Sequence, residues 1–260
     1  MTRTIGFVCE GPRDSQVFEA IIDHLYPDAD IEYRYIQPEE TCDSSLFNGW
    51  KGVLRWCHEN GPIIDSYLTD LEPKLDALII HLDGDVSRNE KESHCYCDNV
   101  ACIHKGNTIP PNCREYETCP ITLPCAEHVS TPEGYTEHLL GVLTSLFPAE
   151  HVIPLIFVFP CDSTDTWIVA ALDSADNYEQ ILNPWNTVIT RGKIYHGVRI
   201  RKPKKTKLLY AELIKLMIPN WEQVKSNCPQ ALKFEESIVH LLANTIQLSE
   251  ESSTLDTPPA

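Results

Sequence analysis

The stretch Ala77-Leu78-Ile79-Ile80-His81-Leu82-Asp83-Gly84-Asp85 decides the fold class. A short run, apolar but for one histidine and stopped by Asp-Gly-Asp, is the pattern of a strand buried on both faces. Two more runs share it: Thr4–Cys9, stopped by Glu10-Gly11-Pro12, and Val152–Phe159, stopped by Pro160-Cys161-Asp162; Ile31–Ile36 is a further strand by its β-favouring Ile and Tyr residues. Between them lie segments with helical spacing. In 13–25, Val17, Phe18, Ile21, Ile22 and Leu25 share one face. Residues 47–67 form a helix in two pieces, broken at Gly61-Pro62. Residues 132–147, a helix beginning around 167–172, 207–217 and 231–248 follow. Strands alternating with helices predict an α/β fold, a mostly parallel sheet with helices on both faces.

In such sheets ligands bind beyond the carboxyl ends of the strands. Three of these strands end in acids: Glu10, then Asp83 and Asp85, then Asp162 and Asp165. One aspartate at a strand end is ordinary turn chemistry, but three strand ends carrying acids point to a site. The glycine between Asp83 and Asp85 lets the backbone curve so that both carboxylates turn to one point. Carboxylates held together repel unless a cation joins them. Hard oxygen ligands suit Mg2+ or Mn2+. Glu10 is read as a ligand or a general base, and Asp14, one turn further on, as facing the same place. His81 is read as a packed strand residue, Trp50, Trp56 and Trp167 as core, and Cys9 and Cys161 as fillers of small buried volumes.

Phe7-Val8-Cys9-Glu10-Gly11-Pro12-Arg13-Asp14 resembles the first motif of the Toprim (topoisomerase–primase) domain, a strand ending in Glu-Gly before a helix. Leu78 through Asp85 resembles its second motif, an apolar strand ending in Asp-x-Asp, at a similar spacing. The resemblance spans 4–90 and implies a Toprim/Rossmann-like fold. It makes Glu10 the acid/base residue, and Asp83 and Asp85 metal ligands beside Asp14. Asp165-Thr166-Trp167, Lys204 through Ala211, and Cys228-Pro229-Gln230-Ala231 are similar to small bacterial Toprim-related proteins and to the nuclease part of overcoming-lysogenization-defect nucleases. Those proteins carry Glu where this chain has Asp165. The resemblance implies metal-dependent cleavage of a DNA or RNA backbone, antiviral defence beside a partner ATPase, and Lys207 or a neighbouring lysine as the phosphate contact. The alternatives are a degenerate Toprim-like module that docks a partner, and a phosphotransfer enzyme acting on a small substrate.

The net charge of −17 argues against a nucleic-acid coat protein, yet the charge is uneven. Eight of the 21 Lys and Arg lie between Arg191 and Lys207, a window without an acid. Arg199, Arg201, Lys202, Lys204 and Lys205 are its candidate nucleic-acid contacts, made to phosphates rather than to bases. The bland reading is a solvated basic loop.

Six of the 11 cysteines fall within 95–125. Cys95, Cys97, Cys102, His104, Cys113, Cys119 and Cys125 are candidate ligands of a structural Zn2+ that would order an insertion over 88–130 with almost no apolar core of its own. The alternative is a reduced loop without metal. The expected organisation is a single domain over 1–248 with this insertion, then a disordered polar tail over 249–260. No run reaches the ~20 apolar residues of a membrane span and no apolar leader follows Met1, so the expected location is cytoplasmic.

Overall fold

The structure, a computed structural model, describes residues 2–38, 49–88, 131–201 and 204–254. Four strands form one sheet: β1 (Arg3–Val8), β2 (Ile31–Gln37), β3 (Ala77–His81) and β4 (Leu155–Val158). Their order is β2-β1-β3-β4 and every pairing is parallel. The helices in chain order are α1 (Pro12–Leu25), α2 (Trp50–Asn60), α3 (Ile64–Thr69), α4 (Asp85–Arg88), α5 (Pro132–Thr144), α6 (Asp165–Leu172), α7 (Pro184–Thr190), α8 (Lys207–Met217), α9 (Trp221–Asn227) and α10 (Pro229–Thr254). A hairpin of β5 (Ile194–Tyr195) and β6 (Val198–Arg199) stands apart from the sheet.

Alternation along the strands divides the core in two. Ile5, Phe7, Ala77, Ile79, Ile156 and Val158 face one side, where buried residues of α1, α6, α8, α9 and α10 cover them. Val8, Leu78 and Ile80 face the other, under α2, α3 and α5. The helices on both faces agree with the α/β expectation. Gly6 belongs to the close packing of the second side: a Cβ there would lie 2.6 Å from Leu75 Cδ1 and 2.9 Å from Leu78 Cδ1.

The interruption at Gly61-Pro62 is a 3-10 turn between α2 and α3. The C-terminal helix runs further than expected, through Thr254 rather than stopping at residue 248. The hairpin was not anticipated. Its turn residues His196 and Gly197 have φ of 44° and 87°, the left-handed pair that a two-residue hairpin loop requires. The Cys/His-rich segment with its candidate zinc ligands Cys95, Cys97, Cys102, His104, Cys113, Cys119 and Cys125 lies outside the described residues. No helix among the described residues is long and apolar enough to cross a membrane.

Candidate active site at the carboxyl ends of β1 and β3

β1 and β3 are neighbours, with Val8 opposite Ile80. Continuing that register two residues brings Glu10 beside the turn after β3. Glu10 Oε1 accepts a hydrogen bond from the backbone N–H of Asp83 at 2.7 Å. Gly84 makes the turn possible, though not by unusual curvature. A Cβ on residue 84 would lie 2.8 Å from the carbonyl oxygen of Pro160, so the turn and the segment after β4 approach too closely for any side chain. Gly84 N–H donates to that same oxygen at 2.9 Å, and Asp85 N–H to the carbonyl of Asp162 at 3.1 Å.

The opposite wall comes from α1. Pro12 occupies the first turn, and Asp14 Oδ2 accepts from the Gly11 N–H at 3.0 Å, satisfying a helix-end donor. Asp14 and Phe18, one turn apart, share the face turned to β3. Phe18 meets the His81 ring edge-on at 5.1 Å, and Asp14 Oδ2 lies 3.8 Å from His81 Nδ1. The other ring nitrogen, Nε2, is 3.1 Å from Asp83 Oδ1. Ligand atoms of Asp14, His81 and Asp83 all fall within 4.8 Å of one another.

His81 is packed within β3, as the sequence reading expected, but one of its ring nitrogens is left unsatisfied. Its side chain is 0% exposed, and Nδ1 has no hydrogen-bond partner among the described residues. A core histidine would satisfy both nitrogens. Apolar alternation gives the same signal for a packed histidine as for one with a free nitrogen. The only cue was its place two residues before Asp83.

The charges are poorly balanced. Burial pushes the Glu10 carboxyl well above the ordinary carboxylate range, and the charges of Asp83 and Asp85 push it further. Asp83 is pushed up to about 7, by burial first and then by Asp14, against the pull of the His81 ring. For His81, burial works to lower the pKa but is outweighed by Asp14, Asp83 and Asp85, so the net shift is upward. Among the described residues no lysine or arginine bonds to Glu10, Asp14 or Asp83. A divalent cation would relieve this excess of negative charge, and the unpartnered Nδ1 beside two carboxylates is a donor set that fits one.

The remaining acids divide. Asp85 starts α4, and its charge is felt at Glu10, His81 and Asp83. Asp165, 1% exposed, is occupied otherwise: Lys205 donates to Oδ2, Ser163 also donates there at 3.2 Å, and Tyr210 donates to Oδ1 at 2.7 Å. Burial raises the Asp165 pKa and Lys205 pulls it back in part. Thr164 links the two groups, donating to Asp14 Oδ1 at 2.8 Å and lying 3.2 Å from the Tyr210 hydroxyl. Asp162 Oδ2 accepts from the Asn183 N–H at 3.1 Å, at the start of α7.

Of the basic candidates, Lys205 reaches the acids, whereas Lys207 lines a small cleft with Arg13, Gln16 and Gln37, where its charge is felt at Glu19. The reason is local. Thr206 caps α8 by accepting from the Leu209 N–H at 3.3 Å, so Lys205 lies before the helix and Lys207 within it. Arg199, Arg201 and Lys204 line a separate cleft of about 420 Å3. Lys202 lies outside the described residues. Comparison with protein-family models, with curated proteins and with solved structures finds no match to this chain.

Proposed function

We propose that the chain is a metal-dependent phosphodiesterase, a nuclease of Toprim-like organisation, whose centre is Glu10, Asp14, Asp83 and Asp85. One observation carries the reading: Glu10, Asp14, His81 and Asp83 converge at the ends of two neighbouring parallel strands, with no lysine or arginine bonded to the three acids among the described residues. Asp14, Asp83 and Asp85 would hold Mg2+ or Mn2+, which supplies Lewis-acid polarisation of a phosphate and a more acidic bound water. Glu10 is the general base. One of its oxygens is fixed by the Asp83 N–H, and its raised proton affinity suits it to take a proton from the attacking water. The water oxygen bonds to phosphorus, the ester P–O bond breaks, and the leaving hydroxyl is protonated.

The substrate reading rests on the basic segment. Arg199, Arg201 and Lys204 are exposed and line one cleft, on a chain whose net charge is −17. They suit the backbone of DNA or RNA, gripped without reading bases. Lys205, held over Asp165, is the lysine best placed to meet a phosphate at the acids. In cells such an enzyme would be a toxic effector of antiviral defence, held in check by a partner ATPase.

The test pairs the wild-type chain with Asp83→Ala plus Asp85→Ala, incubated with DNA and with RNA in Mg2+ or Mn2+, alongside growth of cells expressing each. Cleavage or growth arrest should appear with the wild type and fall by more than about a hundredfold in the double variant. Equal behaviour of the two at equal solubility, with any ATPase encoded beside the gene co-expressed, would sink the reading.

A further inference from the structure

We infer that His81 is itself a metal ligand through Nδ1, joining Asp14 in a mixed nitrogen–oxygen site that takes a first-row transition ion such as Mn2+ in preference to Mg2+, with Asp83 behind the ring as the carboxylate that orients it. This rests on the metal-dependent reading above and revises its ligands, His81 taking the place given there to Asp83. Three observations carry it. The ring is fully buried and held edge-on against Phe18, so it has one orientation. Asp83 Oδ1, 3.1 Å from Nε2, is placed to accept a hydrogen from that nitrogen, and the tautomer this favours leaves the lone pair on Nδ1. Nδ1 has no hydrogen-bond partner among the described residues, and the nearest charged atom, Asp14 Oδ2, is 3.8 Å away.

That separation is too long for a hydrogen bond. It matches two ligands of one ion, since atoms each ~2.1 Å from an ion lie roughly 3 to 4 Å apart. The placement is built into the register. β3 turns Ala77, Ile79 and His81 toward α1, and the face of α1 that carries Phe18 carries Asp14 a turn earlier. Mg2+ favours an all-oxygen shell, whereas imidazole suits transition ions; Mn2+ accepts both carboxylate and imidazole. A proton on Nδ1 is released when the ion binds.

The test is Mn2+ binding to the full chain followed by electron paramagnetic resonance, with Mg2+ as competitor, and spin-echo measurement of nitrogen bound to the Mn2+. Mn2+ should bind at least about tenfold more tightly than Mg2+ and show the modulation of one directly bound 14N. His81→Gln keeps an amide where Nε2 sits and removes the donor at Nδ1. It should lose the nitrogen signal and weaken Mn2+ about 10- to 100-fold, with less change for Mg2+. Mn2+ bound without nitrogen modulation, or bound equally by His81→Gln, overturns the inference and leaves the cleavage reading standing. Nitrogen modulation without cleavage supports the ligand set and counts against the nuclease. A wild-type chain that binds neither ion overturns both. Should His81→Gln fail to fold, the wild-type echo spectrum decides alone.

Discussion

Two acidic clusters in this chain are built on opposite principles. Asp173, at the end of α6, has a side chain 3% exposed and is surrounded by donors. Arg191 lies 2.9 Å from Oδ1, His196 Nε2 2.8 Å from the same atom, and the Tyr195 hydroxyl donates to Oδ2 at 2.9 Å. This cluster pins the β5–β6 hairpin to the body, and every charge in it has an answering partner. At the ends of β1 and β3, Glu10, Asp14 and Asp83 crowd together around one histidine. A buried acid matched by donors holds structure together, whereas acids crowded together with no lysine or arginine bonded to them among the described residues raise one another's proton affinity and cost stability. The proposed metal site rests on that difference.

The contrast is sharpest in the sign of a mutation. Asp173→Asn removes the charge that Arg191 and His196 answer, and should destabilise by about 2 kcal/mol, read as a lower Tm. Asp83→Asn removes a charge that its neighbours oppose. It should raise the Tm of the metal-free protein at pH 8, by about 1 kcal/mol of stability, while abolishing metal-dependent cleavage. Thermal melts of both variants check this. A loss of stability in both would erase the distinction drawn here.

The same imbalance sets a pH dependence. Asp83 moves from its ordinary 3.8 up to about 7, so between those values the folded chain holds a proton that the unfolded chain releases. Stability then falls as pH rises through that window. His81, also raised, acts in the same direction, its contribution fading as pH climbs past its folded value. The metal-free protein should therefore melt several degrees lower at pH 8 than at pH 5. Added Mn2+ should stabilise it more at pH 8, where protons compete less. A melting temperature independent of pH would show that the acids are balanced after all.

Much of this was legible in the residues. Three apolar runs ending in Glu-Gly-Pro, Asp-Gly-Asp and Pro-Cys-Asp are strands because nothing else buries both faces so briefly, the β-favouring Ile and Tyr of 31–36 gave the fourth, and the amphipathic spacing of Val17, Phe18, Ile21 and Ile22 placed α1. What was not legible depends on contacts between distant segments. That His81 keeps one nitrogen unpartnered is set by Asp14, 67 positions earlier, and by the pitch of α1 over β3. Asp162 and Asp165 resemble the other strand-end acids in sequence, yet the start of α7 takes one and Lys205 the other. Which of several adjacent lysines reaches an acid depends on where Thr206 starts α8. The hairpin escaped because strands of two residues show no alternation, and its one signal, His196-Gly197, sits within a basic run.

Gly84 gives the smallest and most local test. Its role is close approach: an added methyl would meet Pro160 O at 2.8 Å, and the Asp162 N and Cys161 Cα at 3.2 Å each. All three are backbone atoms, so no side chain can swing aside, although both segments are turns that can part slightly. Gly84→Ala should therefore cost about 1–3 kcal/mol in stability, the ordinary range of overpacking. The shift should also reach the site. Parting the two turns strains the hydrogen bonds from Gly84 and Asp85 to Pro160 and Asp162, and draws the Asp83 N–H away from Glu10 Oε1. Mn2+ affinity should drop several-fold, whereas an alanine at Gly141, inside α5 where an added Cβ meets nothing within 4 Å, should leave Mn2+ affinity unchanged and raise stability by about 0.5–1 kcal/mol. Equal, negligible effects on Mn2+ affinity at the two positions would mean that the turn after β3 does not need its contact with Pro160 to hold the acids.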